Sequence, residues 1–204
     1  MNKKGLLVIV SGPSGAGKGT VVSELIKNKS YALSTSITTR EARQGEVDGV
    51  HYFFRDTEEF KKMIEKNELL EYAEFCGNYY GTPMFYVQEQ LEQGKNVILE
   101  IEVQGALQVK ERYKDAILIF LTPPNITELR NRLEKRATET LEKINMRMKR
   151  AREEITLINK YDYIVINNIV EEAVKDINNI VESEKMSAKR HTGLIDIFLE
   201  GVEE

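Results

Sequence analysis

A chain of 204 residues holds one domain with a full core, or one domain that carries a sizeable insert. With 41% hydrophobic and 30% charged residues and a net charge of −4, it lacks the basic balance for unspecific adhesion to nucleic acid or anionic membrane. Its lone cysteine, Cys76, excludes an intrachain disulfide, and no apolar stretch reaches the length of a membrane span, which points to a cytoplasmic protein.

The N-terminal stretch "MNKKGLLVIVSG" has a short basic start, a short apolar run and no small-residue cleavage site. It reads as a first strand over 6–10 rather than a signal peptide. That strand leads straight into "GPSGAGKGT", Gly12 to Thr20, and then into the helical pattern "GTVVSELIKN". Strand, glycine loop and helix in this order make a phosphate cradle, because orphan backbone N–H groups and the helix dipole converge on one anion. The spacing G-x-x-x-x-G-K is complete at Lys18, which is expected to reach the β and γ phosphates of a nucleotide. The loop residues Gly12, Pro13, Ser14, Gly15, Ala16, Gly17, Lys18, Gly19 and Thr20 are therefore candidate ATP contacts. Gly19 stands where GTPase-type loops place a metal-binding hydroxyl, and Thr20 brings the hydroxyl one residue later. The same "GKGT" order occurs in small nucleotide kinases, so Thr20 becomes the candidate residue near Mg2+, acting through water. A GTPase would also need an N-K-x-D motif, which "NNIV" does not supply.

Residues 35–82 interrupt the strand–helix rhythm. They hold a Thr- and Arg-rich turn, an aromatic strand candidate "VHYFF" (50–54) and a helix "TEEFKKMIEKNEL" led by Asp56 and Glu59. This is expected to be a small α+β insertion. Beyond it, "PMFYVQEQLEQG" predicts a helix with Thr82 as its N-cap, Pro83 at its first position and Gly94 just past its end. The unalternating runs "NVILEIEV" (96–103), "AILIFLT" (116–122) and "YDYIVIN" (161–167) predict further buried parallel strands. Between the last two lie 125–159, densely charged and helical, opening with Asn125 three residues before Glu128 as a capping box. A projecting helical hairpin is the expectation there. After about Ser183 the tail is polar, then weakly apolar, and only partial order is expected.

Strand–helix alternation predicts an α/β doubly wound domain; resemblance to phosphate-loop kinases implies, more finely, a core with a five-stranded parallel sheet flanked by helices. One domain over 1–204 divides into a core (1–34, 88–124 and 160–204), an insert (35–87) and a helical lid (125–159).

In the insert, "TTREAR" sets Arg40 and Arg43 three apart, Tyr52 follows, and "LLEYAEFCGNYYGT" adds Glu71, Tyr80 and Thr82. Together with the phosphate loop, the strand end "LEIEVQGA" and the Arg-rich lid, these motifs run in one order over residues 5–185. In that order the chain resembles guanylate kinases. The resemblance implies a GMP site in the insert, with Arg40, Arg43, Tyr52 and Tyr80 gripping the acceptor phosphate. Ser36, Glu71, Thr82 and Glu102 match the positions that read guanine. Chemistry agrees: guanine offers N1–H and N2–H2 as donors and O6 as an acceptor, so carboxylates and a hydroxyl suit it, whereas a Glu facing adenine N1 opposes two acceptors. The family often has Asp-Ile-Asp where this chain has Glu100-Ile-Glu102, which keeps the acceptor but moves it. Arg136 and Arg147 match lid arginines that contact ATP phosphates, with Arg132 as a third candidate and Asn167 near the adenine. Glu74 and Tyr79 are read as structural.

The implied activity is ATP-dependent phosphorylation of GMP, and of dGMP with it, to the diphosphate with Mg2+. Lys18, Arg40, Arg136 and Arg147 carry the catalysis. The implied partners are ATP and GMP, with no nucleic acid or membrane, and a homo-oligomer stays open. The GMP phosphate, with a second pKa of about 6, is its own nucleophile and needs no general base. Two rival readings are a related kinase with an altered base pocket and a noncatalytic protein-binding module of the same family. The two-carboxylate pattern opposes the first, and the intact Lys18, Arg40 and Tyr80 oppose the second.

Overall fold

Val- and Ile-rich runs without alternation become inner strands, because both of their faces must be covered. In the computed structural model, which describes residues 4–75, 77–135, 140–191 and 193–200, the first such run is β1 (Leu7–Ser11), buried throughout. The glycine loop follows, then α1 (Lys18–Leu25) and a short β2 (Tyr31–Leu33). The insert comprises β3 (Ile37–Thr38), β4 (Phe53–Phe54), α2 (Thr57–Glu65), β5 (Leu69–Phe75) and β6 (Asn78–Pro83). The chain returns through α3 (Met84–Glu92), β7 (Asn96–Glu100), α4 (Val103–Arg112) and β8 (Ile117–Thr122). Two helices packed on each other, α5 (Ile126–Lys135) and α6 (Leu141–Ile155), precede β9 (Tyr163–Ile166), α7 (Val170–Lys185) and a short α8 (Gly193–Leu199).

The main sheet has the order β2-β7-β1-β8-β9, and every pair in it is parallel. One face is covered by α1 and α7, through Val21, Val22 and Leu25 and through Ala173, Ile177 and Val181. The other is covered by α3 and α4, through Val87 and Leu91 and through Ala106 and Val109. Ile9, fully buried in the central strand, is typical of this core, and truncating it to Ala should cost about 2–5 kcal/mol. The second sheet, β4-β3-β6-β5, has a separate small core of Ile37, Phe60 and Leu69. The α5–α6 hairpin likewise has its own, made of Leu129, Leu133, Ile144, Met148 and Ala151. At about 1.5–3 kcal/mol per buried side chain, these two satellites are held together far less strongly than the central sheet.

Several sequence expectations change at element ends. The run expected as a strand over 96–103 stops at Glu100. Val103, Ala106 and Val109 are buried at helical spacing, so the chain turns at Glu102 and continues as α4. Thr82 does not cap α3. It lies in β6, Pro83 closes that strand, and α3 starts at Met84. The helix expected to run to Leu69 ends at Glu65, and Asn67, with φ of 55°, turns the chain into β5. Of "VHYFF", Phe53 and Phe54 pair parallel to β3, and Tyr52 makes only an isolated parallel bridge to Asp48. The caps fare better: Asp56 accepts from the Glu59 N–H at 2.7 Å and Asn125 from the Glu128 N–H at 2.8 Å, each worth about 1 kcal/mol. The tail is anchored more firmly than expected. Glu184 at the end of α7 accepts from Tyr163 at 2.7 Å and from Arg190 at 3.0 Å. Among the described residues no helix is long and apolar enough to cross a membrane.

Candidate active site

The loop between β1 and α1 has a backbone that demands glycine at two points above all. Gly12 has φ of 144°, and a Cβ there would lie 2.0 Å from the Leu121 carbonyl oxygen of β8. Gly17 is left-handed, at φ of 90°, and a Cβ there would lie 2.4 Å from Nδ2 of Asn167. The loop is thus wedged against the carboxyl ends of β8 and β9 while its following helix presents free N–H groups. Lys18 Nζ crosses back over the loop and donates to the carbonyls of Gly12 at 2.6 Å and Pro13 at 3.4 Å. A cleft of about 430 Å³ opens in front, lined by Ser14, Lys18, Gly19, Thr20, Glu100 and Glu102 among others. The positive helix end and Lys18 make it an anion site.

Gly19 has a second meaning in this geometry. A Cβ there would lie 3.6 Å from the Glu100 carboxylate, an ordinary van der Waals contact, so that carboxylate sits beside the start of α1 and lines the same cleft as Thr20. Crowding by the cleft walls pushes the Glu100 carboxyl above its ordinary pKa, Lys18 pulls it down, and Glu102 raises it again. The sequence reading quoted Glu100 but assigned it no role. Its signal was positional, at the carboxyl end of a parallel strand next to the one that feeds the loop.

The lid helices meet the loop through arginines. Arg147 of α6 donates to the Ser14 hydroxyl at 3.0 Å. Arg132 of α5 donates to the Asn167 carbonyl at 2.9 Å and is held by Glu128 at 2.8 Å. Asn167 is buried, and its amide donates to the Ala16 carbonyl at 2.8 Å, so its polar head is committed to bracing the loop. Arg136 lies outside the described residues, as does Cys76. Arg150 links α6 to the start of α4, 3.2 Å from Glu102, and lies 2.9 Å from Glu154.

Across from the loop, the insert gathers three of its expected residues. The Arg40 guanidinium lies 5.6 Å from the centre of the Tyr52 ring, and Tyr52 meets Tyr80 edge-on at 6.2 Å. Arg40 Nη2 lies 2.9 and 3.0 Å from the two Glu46 oxygens, and Nη1 donates to the Glu41 carbonyl at 2.6 Å. Glu46 holds Arg40 above its already high pKa, with Tyr80 adding a smaller share. Arg43 is exposed on the same turn, and its backbone N–H donates to Glu46 at 2.8 Å. Ser36 precedes β3, and its carbonyl accepts from Phe53.

Glu71 and Thr82 face each other in the β5–β6 register. The Thr82 hydroxyl donates to the Glu71 carboxylate at 2.7 Å, in a setting that leaves Glu71 only 8% exposed. Burial pushes the Glu71 carboxyl above its ordinary pKa, opposed by Thr82 and by the charge of Arg112. Its other oxygen abuts α4, where a Cβ on Gly105 would lie 3.0 Å away. Glu102, one turn earlier at the start of α4, lies 3.9 Å from Lys18 Nζ. The sequence reading grouped Glu102 with the base contacts, whereas its carboxylate here engages Lys18 and Arg150. The first turn of α4 therefore joins the Glu71 side of the cleft to the Lys18 side. Among the described residues no cluster of three metal-ligating side chains occurs.

The comparisons with known proteins agree on one family. The guanylate kinase family model matches residues 4–184. The chain belongs to the guanylate kinase family. The guanylate kinase of Halalkalibacterium halodurans is 56% identical over 189 residues, covering 92% of this chain and 93% of that one. That of Clostridium tetani is 50% identical over 200 residues, covering 98% and 96%. A crystal structure of guanylate kinase from Anaplasma phagocytophilum, 32% identical, superposes with a TM-score of 0.74 and covers 100% of this chain and 99% of its own. The chain is thus a nucleotide-binding phosphotransferase, of a family that works with ATP and a divalent metal.

Proposed function

We infer that the chain catalyses ATP + GMP ⇌ ADP + GDP, with dGMP as a second acceptor, and that the guanine is read by Glu71 and Thr82. The observation that carries this reading is the buried Glu71–Thr82 pair. An ionised carboxylate with one oxygen tied to a hydroxyl and a lone pair to spare suits N1–H and N2–H2, and opposes the bare N1 of adenine. Ser36 completes the base contacts, and Glu102, between Glu71 and Lys18, is the second carboxylate of the site. Arg40, Arg43, Tyr52 and Tyr80 take the acceptor phosphate, which their positive charge and hydroxyls hold in line with the donor. The loop residues Gly12 to Thr20 cradle the ATP phosphates, with Arg132 and Asn167 bracing the loop and Arg147 reaching it from α6; Arg136 is assigned to the same phosphates on the family resemblance alone.

Such a site needs cations rather than a base. The acceptor phosphate is already largely ionised at pH 7, and the barrier lies in bringing two polyanions together while charge spreads over the transferring group. Lys18 and the lid arginines stabilise the donor side of that charge, and Arg40 and Arg43 the acceptor side. Thr20 and Glu100 offer the hard oxygen donors that a magnesium ion prefers, and would hold it through water with the phosphates completing its shell. Such an ion would supply charge neutralisation for the phosphates of the donor. We propose 35–87 as the GMP-binding insert and 125–159 as the lid, each moving on the core of 1–34, 88–124 and 160–204. Their separate small cores support this, since each can shift without breaking the central sheet. The net charge of −4 fits a cytoplasmic enzyme whose partners are nucleotides and not nucleic acid or membrane. The test is ADP release with GMP, dGMP, AMP, UMP and dTMP, each with and without Mg2+. Turnover with GMP and dGMP is expected, and failure of GMP alone would sink the reading.

A further inference from the structure

Glu46 is a carboxylate that the phosphate-transfer scheme does not use, in the turn that carries the acceptor arginines. Its two oxygens hold Arg40 Nη2 at 2.9 and 3.0 Å, and one of them also accepts the Arg43 N–H at 2.8 Å. Both partners of the ion pair are shielded, with side chains 16% and 18% exposed, so this is not a loose surface contact. The far edge of the guanidinium is fixed as well, since Nη1 donates to the Glu41 carbonyl and the plane lies near the rings of Tyr52 and Phe54, at 5.6 and 5.9 Å. An arginine has five N–H donors, and these contacts leave some unspent. A negative charge so close to an acceptor phosphate weakens phosphate binding by repulsion. It also removes the rotamer freedom of a long side chain and closes the 40–46 turn through Arg43.

We propose that Glu46 is a positioning residue for the acceptor site: it orients Arg40 and closes its turn, so that the remaining guanidinium donors meet the phosphate of the nucleoside monophosphate. This rests on the reading of Arg40 as a phosphate contact. The orienting effect outweighs the repulsion, because misplacing a phosphate clamp by about 1 Å can cost on the order of a hundredfold in rate.

The experiment is a double-mutant cycle with Glu46→Ala, Arg40→Ala and the double variant, with Glu46→Gln and Glu46→Asp alongside. Steady-state constants for GMP and ATP are measured for each, and thermal melting reports whether each variant folds. In Glu46→Ala the KM for GMP rises on the order of tenfold and kcat falls less, while the KM for ATP stays within about twofold. Glu46→Asp recovers more of the loss than Glu46→Gln, because it keeps the charge. In the Arg40→Ala background, removing Glu46 adds nothing. A fall in the KM for GMP on removing Glu46 would identify the carboxylate as a competitor of the phosphate and overturn the proposal. An unchanged KM, or equal losses in both Arg40 backgrounds, would overturn it too. A large Arg40→Ala effect beside a silent Glu46→Ala rejects this inference alone. A silent Arg40→Ala rejects the assignment of Arg40, and the inference with it.

Discussion

In the proposed assignment, the two sides of the cleft hold their nucleotides by opposite means. The donor side is built from backbone: one loop of nine residues, pinned at Gly12 and Gly17 by the ends of β8 and β9, with Lys18 as its main side chain. The acceptor side is built from side chains on separate segments, Arg40 and Tyr52 from one long turn and Glu71, Tyr80 and Thr82 from a hairpin. Backbone donors fixed by a wedged loop read only an anion. If side chains on a small satellite sheet read the base, as proposed, their substitution should change which nucleotide is accepted without disturbing ATP.

The largest break in this comparison comes from the donor side. Lys18→Ala should lower kcat on the order of 10³-fold, with GMP affinity by calorimetry changed by less than about threefold. A parallel loss of GMP binding would mean that the two sides are not separable. A smaller and opposite break is Gly105→Ala. Its Cβ would sit 3.0 Å from the Glu71 carboxylate, so Glu71 must give way. About a tenfold rise in the KM for GMP is expected with ATP unaffected, and the same kinetic pair reads it out.

The smallest effect is a change of pH dependence. Burial raises the Glu71 carboxyl, so protonation of the folded protein begins above the ordinary glutamate range. A protonated Glu71 loses its acceptors for guanine, so kcat/KM for GMP should fall on the acid side starting above that range. The GMP phosphate itself titrates near 6, and Glu71→Gln should keep that limb while losing the other. Stability runs the other way. A carboxyl with a raised folded pKa contributes stability that is fully present below the unfolded value and is lost as pH rises through the folded one. Thermal melting between these limits should therefore fall with rising pH more steeply in the natural protein than in Glu71→Gln.

How much of this was legible beforehand follows the same division. The phosphate loop is local in the chain, and its strand–loop–helix context stands in nine consecutive letters. The buried strands announce themselves as continuous apolar runs, and the caps at Asp56 and Asn125 as short-range pairs. The acceptor site became readable only through the ordered resemblance to guanylate kinases, because its residues lie up to forty-odd positions apart and meet only through the β3–β6 and β5–β6 pairings. What stayed hidden was non-local and polar. Thr82 looked like a helix cap because Pro83 follows it, yet its hydroxyl serves a carboxylate eleven residues away. Glu46 and Arg150 drew no assignment from the sequence, since spacing does not reveal an ion pair closed by a turn or by a neighbouring helix. The α4 helix was obscured because its first residues continue the apolar run of β7. Gly19, which looked like a lost hydroxyl, lies against the Glu100 carboxylate.

The most direct test of the central claim is Glu71→Gln, assayed with GMP and AMP as acceptors and with ATP binding measured separately. Gln replaces one acceptor oxygen with an amide donor facing the guanine donors. A loss on the order of 10²-fold in kcat/KM for GMP, about 2.7 kcal/mol, is predicted, with AMP turnover not reduced and ATP affinity unchanged. An equal loss of GMP use and ATP binding, or full GMP activity, would contradict the assignment of guanine recognition to the Glu71–Thr82 pair.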